Sequence, residues 1–361
     1  MAAKASPLLV LGQRVLLAVL VTMGVACSTL SAGQLSAALA PGENGAILER
    51  APCSVNTDRR AFAEAVNEYF LKDILEAKLN DELAARPLLS SFPYAENLRL
   101  AAAAQAGRCE RVMYRSSGLR VAGYVLRPNR PGPHPVLIWL RGGNREFGKI
   151  EQVTLLNLQW MADAGFIVVA TQYRGADGGE GRDEFGGADV DDVMALLPLA
   201  RSLPDADVGR MYLLGGSRGA MEGTMAMRRG LPVRAAAFRG GVFDLHALLT
   251  FRPYFEPAWR EMIPDFDADH EGVLQRRSAI GWAAELHAPV LLLHGRLDWR
   301  ADVEGSQAFD AMLARAGTDH KIVIYPGDEH QLALHRPEWL QEAANWFRHH
   351  GAFGTGPSGQ P

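Results

Sequence analysis

From about residue 111 onwards, the chain alternates short apolar runs with amphipathic windows of helical period. The apolar runs predict strands at 119–126, 136–140, 167–171, 211–214, 235–238, 290–294 and 321–325. The amphipathic windows predict helices at 155–164, 190–202, 220–229, 305–316 and 338–348. Several runs are apolar throughout, which is typical of strands buried on both faces. The pattern predicts an α/β fold, with a mostly parallel sheet and helices on both faces.

The stretch 41–110 has a different pattern, which predicts a helical N-terminal segment. Apolar residues recur at helical spacing, namely Phe62, Val66, Tyr69, Phe70 and Ile74. A second helix is predicted at 95–106. Nothing in this segment suggests chemistry, so we interpret it as a lid or brace packed on a main domain that spans 111–350. The tail 351–361, rich in Gly, Pro and Ser, predicts a disordered end.

Residues 1–40 predict a targeting segment. Lys4 and Arg14 precede the apolar stretch 15–26, which is shorter than the roughly 20 residues that a membrane span needs and fits a secretory signal. An N-terminal membrane anchor extended through 8–11 is the alternative. Two processing routes fit: a bacterial lipoprotein site that would attach a lipid anchor to Cys27, or ordinary cleavage between Ala26 and Ala40. Either route predicts an exported protein that is periplasmic, secreted or lipid-anchored in the cell envelope.

Composition narrows the class of partner. The 361 residues are 48% hydrophobic and 22% charged, with a net charge of −4. This composition is typical of a soluble globular protein, and the negative charge argues against nucleic acid as the main partner.

If Cys27 is removed or lipidated, Cys53 and Cys109 remain, either paired in an oxidising compartment or as two free thiols. No cysteine–histidine spacing resembles a metal site, so we expect no metal and no cofactor. The oligomeric state stays open.

The segment Gly215-Gly216-Ser217-Arg218-Gly219 carries the first candidate for chemistry. It follows a predicted buried strand and precedes a predicted helix, which is the setting of a G-x-S-x-G nucleophile elbow. The serine must sit at the apex of a strained turn, where strand and helix approach closely and the flanking positions must be small. A glycine-rich loop with a surface serine is the alternative interpretation.

A serine hydroxyl needs a base, and the base needs an orienting acid. Asp298 follows the predicted strand 290–294, and His330 follows the predicted strand 321–325. Because the carboxyl ends of parallel strands meet at one edge of the sheet, the order Ser217, Asp298, His330 predicts a catalytic triad.

Three other histidines lie near the predicted strands 290–294 and 321–325. His335 lies just beyond the same loop and is the rival base. His320 precedes its strand and belongs at the opposite edge of the sheet, and His294 lies on the strand leading to Asp298 and is interpreted as structural.

These motifs together resemble the catalytic domain of the prolyl oligopeptidase family of serine peptidases, within the α/β-hydrolase fold. The likeness covers about 111–348. Besides the elbow, it rests on His294-Gly295-Arg296-Leu297-Asp298, on Gln172-Tyr173-Arg174-Gly175 and on the acidic stretch 184–193. The resemblance implies that Ser217 is the nucleophile, Asp298 the triad acid and His330 the base.

The chain departs from the family pattern in two ways. Arg141 stands where many of these peptidases have a tyrosine that donates to the oxyanion, so its guanidinium is expected either to donate there or to pair with an acid. The remaining donors are expected from the backbone amides of Arg218, Gly142 and Gly143. The large β-propeller of the family is also expected to be missing, which puts peptidase activity, but not ester or amide hydrolysis, in doubt.

The long insertion between the predicted strands at 235–238 and 290–294 is interpreted as a helical cap. Tyr254 and Trp259 within it, with Trp299 beside Asp298, are the candidate substrate-binding residues. The sequence predicts an exported serine hydrolase acting on a small ester or amide or a short peptide. A carboxylesterase without peptidase activity and an inactive hydrolase-fold binding module are the alternatives.

Overall fold

The computed structural model describes residues 39–76 and 91–353. The predicted signal, its lipidation candidate Cys27 and residues 354–361 of the predicted tail lie outside this range. Within it, no helix is both long enough and apolar enough to span a bilayer.

Nine described strands form one mixed sheet in the order β1-β2-β3-β5-β4-β6-β7-β8-β9. Their bounds are β1 Ile47–Pro52, β2 Cys109–Ser116, β3 Leu119–Leu126, β4 His134–Leu140, β5 Ile167–Thr171, β6 Ala206–Gly216, β7 Ala235–Arg239, β8 Val290–Gly295 and β9 His320–Tyr325. The pairs from β1 to β3 and on to β5 are antiparallel, and the pairs from β5 through β4 to β9 are parallel. The mostly parallel sheet of the prediction is confirmed.

Helices cover both faces of the sheet. Their bounds are α1 Arg59–Glu76, α2 Tyr94–Gln105, α3 Gln152–Asp163, α4 Val190–Met194, α5 Leu196–Arg201, α6 Arg218–Arg228, α7 Leu245–Phe251, α8 Glu256–Met262, α9 His270–Gln275, α10 Val303–Ala316 and α11 Arg336–His349. Side chains alternate along each strand, so Leu137 and Trp139 join the core under α1, α2, α3 and α11. Val136 and Ile138 join the opposite core under α4, α5, α6 and α10. A third cluster joins α7, α8 and α9 of the insertion to Phe185, Met221 and Ala301.

The segment before residue 111 differs from its prediction. It contributes β1, the outermost strand, and the beginning of β2, in addition to the two predicted helices. β1 was missed because most of its side chains are exposed at the edge of the sheet, so it lacks the apolar signal. Cys53 and Cys109 form a disulfide that links the end of β1 to the start of β2 and closes the loop that carries α1 and α2.

The helix predicted at 190–202 is two helices, α4 and α5. Pro198 explains the break, because it has no backbone N–H to donate to the carbonyl of Met194 one turn earlier. By contrast, α10 begins and ends at residue types that are typical of helix caps. Asp302 accepts a hydrogen bond from the amide of Glu304 at 3.1 Å at one end, and Gly317 adopts φ 71° at the other.

Candidate active site

Ser217 lies between the last residue of β6 and the first residue of α6, at φ 55° and ψ −122°. This region of backbone space is strained for any residue with a side chain. The turn is tight enough that a Cβ on Gly215 would collide with the carbonyl oxygen of Gly219, and a Cβ on Gly219 with that of Leu140. The small residues on either side of Ser217 are therefore required by the close approach of strand and helix.

His330 and Asp298 lie in the loops after β9 and β8, and their side chains are hydrogen-bonded. His330 Nδ1 is 2.8 Å from Asp298 Oδ2. The other carboxylate oxygen, Oδ1, accepts the amides of Arg300 at 2.8 Å and Ala301 at 2.9 Å. Because Nδ1 faces a carboxylate, it carries the proton, and Nε2 of His330 is left as an acceptor.

The pKa values of this pair fit an ionised acid and a neutral base. Burial alone would raise the pKa of Asp298, but His330 and His294, which donate to it, hold that pKa well below its usual range. Burial lowers the pKa of His330, and Asp298 only partly opposes this. The resting imidazole is therefore neutral at neutral pH, which is the form that accepts a proton.

The end of β7 connects Ser217 to the histidine. The amide of Ser217 donates to the carbonyl of Arg239 at 2.9 Å, and the Arg239 guanidinium donates to the carbonyl of His330 at 2.9 Å. A Cβ placed on the next residue, Gly240, would lie 3.0 Å from His330 Nδ1 and 3.2 Å from Asp298 Oδ2. Ser217 and His330 both line one cavity of about 390 Å³. The three predicted triad residues are thus brought to one place at the carboxyl edge of the sheet.

The rival histidines lie elsewhere. His335 Nδ1 bonds Asp328 Oδ2 at 2.9 Å at the start of α11. His320 begins β9 and faces Asp310, at the opposite edge from Ser217. His294 is fully buried, with Nε2 2.9 Å from both Asp298 Oδ2 and the carbonyl of Ala301, so it supports the acid from behind.

Arg141 differs from its prediction. Its buried guanidinium makes five hydrogen bonds to four backbone carbonyls, those of Gly142, Arg145, Phe147 and Gln172. Burial and the neighbouring Arg218 lower the pKa of Arg141 to about 10, so it stays charged at neutral pH. Since a guanidinium has five N–H groups, none is left for an oxyanion or for a paired acid. The side chain braces the loop at 142–147 instead.

The backbone of that loop lies against the serine. A Cβ on Gly142 would be 2.8 Å from Ser217 Cβ and 3.5 Å from Ser217 Oγ. Gly142, Gly143 and Arg218 line the same cavity as Ser217. The backbone residues predicted as oxyanion donors are therefore neighbours of the serine hydroxyl.

The side chain of Arg218 forms a buried ionic cluster that was not predicted. It donates to Asp183 at 2.7 Å, to Asp189, to Glu222 at 2.9 Å and to the carbonyl of Gly143 at 3.2 Å. Burial would lower the pKa of Arg218, but the three acids outweigh it and raise that pKa well above its ordinary value. Burial and the neighbouring Asp189 raise the pKa of Glu222 well above its ordinary value, although Arg218 opposes this. The cluster joins α6 to both the 142–147 loop and the 183–189 loop.

We expect Arg218→Met to lower the free energy of unfolding by about 3–5 kcal/mol, because it leaves buried carboxyl groups without their cation. Arg229→Met is the matched control, since Arg229 near the end of the same helix pairs with Asp191 at a largely exposed site and should cost less than about 1 kcal/mol. Urea unfolding followed by circular dichroism measures both. Equal stabilities of the two variants would mean that the cluster does not hold these loops.

The three predicted substrate-binding residues line two adjoining spaces. Trp259 is fully buried and forms part of the wall of the main cavity. Trp299 and Tyr254 line an adjoining, more open recess of about 490 Å³. Helix α1 adds Ala65, Glu68 and Tyr69 to the main cavity wall, so the N-terminal segment borders the site, as a lid or brace would.

A comparison with protein families decides the class to which this site belongs. The model of the prolyl oligopeptidase family matches residues 152–352, which is more than half of the chain. The chain belongs to the prolyl oligopeptidase family. The match runs from α3 to the end of the described fold and includes Ser217, Asp298 and His330. Two predictions are confirmed, the α/β-hydrolase fold and the resemblance to this family. The chain is a serine peptidase or hydrolase.

Relatives of known name support this membership. The chain is 29% identical over 219 residues to the uncharacterized peptidase YtmA of Bacillus subtilis (strain 168), covering 60% of this chain and 84% of that protein. Among solved structures, it shares the fold of a Mycobacterium tuberculosis puromycin-hydrolyzing peptidase, with a TM-score of 0.60 and 23% identity over 70% of this chain and 40% of the other. It also shares the fold of the Pyrococcus horikoshii acylaminoacyl peptidase, with a TM-score of 0.58 and 21% identity over 69% of this chain and 43% of the other. The chain thus spans less than half the length of these two solved chains.

Proposed function

We propose that this member of the prolyl oligopeptidase family is an exported serine hydrolase that cleaves amide or ester bonds of short peptides or small acyl compounds. One observation carries the proposal. Ser217 stands on a strained strand-to-helix turn in the same cavity as His330, whose Nδ1 bonds the buried Asp298. Nucleophile, base and orienting acid in these relative positions are the parts that acyl transfer requires.

The proposed reaction has two halves. In the first, Ser217 Oγ attacks the substrate carbonyl carbon while Nε2 of His330 accepts the hydroxyl proton. The tetrahedral oxyanion collapses, the bond to the leaving group breaks, and His330 returns the proton to the leaving nitrogen or oxygen. In the second half, His330 takes a proton from water, which attacks the acyl-enzyme. The second tetrahedral intermediate collapses, the bond between the acyl carbon and Ser217 Oγ breaks, and His330 returns the proton to Oγ as the acid leaves.

Backbone amides supply the proposed oxyanion hole. The amide of Arg218, directly after the nucleophile, is the first donor, as in other nucleophile elbows. The amides of Gly142 and Gly143 are the candidates for the second, on a loop that Arg141 braces through its five hydrogen bonds. Removing one such donor costs about 10²–10³ in kcat, so the placement of this loop matters for the rate.

A fluorophosphonate probe tests the proposal directly, because an activated serine attacks its phosphorus, displaces fluoride and becomes phosphonylated. We expect stoichiometric labelling of the purified full chain, with the label mapped by peptide mass spectrometry to Ser217. A folded protein that stays unlabelled would be the binding module among the alternatives. A label on another serine would overturn the assignment of the nucleophile.

We expect small activated esters to be cleaved faster than dipeptidyl or prolyl amides, for two reasons. An ester has the better leaving group, and Arg141, which stands where many family members have a tyrosine, offers no side-chain donor to the oxyanion. The measurement is kcat/KM for 4-nitrophenyl esters and for peptidyl 4-nitroanilides of the same acyl group. A higher kcat/KM for a peptidyl amide than for its matched ester would instead favour the peptidase activity named for the relatives.

The proposal of export rests on the signal-like N-terminus and on the disulfide between Cys53 and Cys109, a bond that persists in oxidising compartments. Intact-mass analysis of protein recovered from its native host tests it. The mature chain should begin after Ala26, either at a lipidated Cys27 or further on. A soluble cytoplasmic form that keeps residues 1–26 would contradict it.

A further inference from the structure

The cavity at Ser217 adjoins a second space, which we call the aromatic recess. Its lining consists of Asn144, Phe147, Arg252, Tyr254, Phe255, Trp299 and Arg300, around a volume of about 490 Å³. Five of these seven residues also line the cavity that contains Ser217, and only Tyr254 and Trp299 are specific to the recess. The two spaces therefore share a wall, and a substrate held at Ser217 has the recess as its neighbour.

The recess presents aromatic surface to solvent. The side chains of Tyr254 and Phe147 are 63% and 45% exposed, which is unusual for rings of this size. The Tyr254 ring stacks on that of Phe255, with centroids 5.5 Å apart. Exposed aromatic groups gathered around one concave space mark a binding site more often than scattered ones do.

Two buried arginines hold these rings in place. The Arg252 guanidinium lies 4.1 Å from the centroid of Phe255 and 5.2 Å from that of Trp299, and it donates to the Tyr254 hydroxyl at 2.6 Å. Arg300 lies 4.5 Å from the Trp299 ring and 5.1 Å from the Phe147 ring. Its carbonyl accepts a hydrogen bond from Arg252 at 3.1 Å. Because both guanidinium groups are packed against the rings, the aromatic surfaces are preorganised and little side-chain entropy is lost when a ligand binds.

We propose that the aromatic recess is a subsite for an aromatic side chain of a short peptide substrate, adjacent to the residue whose carbonyl Ser217 attacks. A ring bound in the recess against Tyr254 or Phe147 gains edge-to-face or offset contacts, which are worth about 0.5–1.5 kcal/mol beyond the area that it buries. This corresponds to a preference of about 2- to 12-fold over a saturated ring of the same size. The position of the cleaved bond in this inference rests on the proposed function, whereas binding of the ring in the recess does not.

The test measures binding to the Ser217→Ala variant of the full chain, so that no turnover is needed. Two acetylated tripeptide amides differ only in carrying phenylalanine or cyclohexylalanine at one position, and that position is moved along the peptide in a short series. Isothermal titration calorimetry gives Kd for each. At one position we expect the phenylalanine peptide to bind about 2- to 12-fold more tightly.

Ring-removing substitutions assign that preference to the recess. Phe147→Leu and Tyr254→Leu, each made in the Ser217→Ala background, should abolish it while leaving binding of the cyclohexylalanine peptide within about twofold, because both keep apolar volume. Phe251→Leu is the matched control, since Phe251 is also an exposed aromatic residue (41%) but lines neither space. It should retain the preference.

The outcomes separate this proposal from the proposed function. Equal Kd values for both peptides at every position, or a preference that survives both substitutions, would overturn the subsite even if fluorophosphonate labels Ser217. A preference that disappears with Phe147→Leu or Tyr254→Leu would support the subsite even if the wild-type chain is not labelled.

Discussion

Ser217→Ala is expected to lower kcat for a 4-nitrophenyl ester by about 10⁶-fold, because loss of the nucleophile leaves only binding and oxyanion stabilisation. The fold should survive. Alanine keeps the Cβ, which lies close to Gly142. His330→Ala should cost a similar factor, and the double variant should be little worse than either single one, since the two side chains act as a unit. Steady-state kinetics, with circular dichroism to check folding, measures all three.

His335→Ala is the control for this series. His335 lies in the same loop as His330 but bonds Asp328 rather than Asp298, so kcat should change by less than about tenfold. A folded Ser217→Ala variant that kept more than about a tenth of wild-type activity would make Ser217 a loop serine. Loss of turnover in His335→Ala, but not in His330→Ala, would leave the nucleophile in place and move the base.

The meeting of Ser217, Asp298 and His330 could be anticipated from the sequence because it depends on a rule of topology. Each of the three follows an apolar run, and the carboxyl ends of parallel strands share one edge of a sheet. Helix and strand periods and a glycine-flanked serine are local signals. The strands from β3 to β9 and the helices α3, α6, α10 and α11 were therefore predicted with shifts of a few residues at their ends. The predicted helix at 190–202 is divided into α4 and α5, and the helices of the insertion were predicted only as a helical cap. The same reasoning placed His320 at the opposite edge.

The parts that were missed depend on contacts between distant residues. Arg218 pairs with Asp183, 35 positions earlier, and with Asp189, 29 positions earlier, and no spacing rule connects them. Arg141 was expected either to donate to the oxyanion or to pair with an acid. Its donors are instead used by backbone carbonyls, including those of a loop whose path the sequence does not reveal. Strand β1 lacks an apolar pattern because it lies at the edge of the sheet, where half-exposed polar side chains are tolerated.

Asp298→Asn is expected to lower kcat by about 10⁴-fold while the protein stays folded. The contacts of the two carboxylate oxygens explain why. Oδ1 accepts the backbone amides of Arg300 and Ala301, whereas Oδ2 accepts His330 Nδ1 and His294 Nε2. In asparagine only one of these atoms is an oxygen, and the two backbone amides cannot become acceptors, so the oxygen must stay at the Oδ1 position. The amide NH₂ then faces His330.

A donor at that position forces the opposite tautomer of His330. Nδ1 becomes the acceptor and Nε2 carries the proton, so Nε2 cannot take the proton of Ser217. The substitution also removes the negative charge that raises the pKa of His330, so that pKa should fall further below its ordinary value. Lowering the pH of the assay should therefore not restore kcat. Asp310→Asn is the matched control, because Asp310 also faces a histidine, His320, but far from Ser217. It should keep kcat within about twofold of the wild type. A folded Asp298→Asn variant with kcat within about tenfold of the wild type would show that the carboxylate does not set the tautomer of the base.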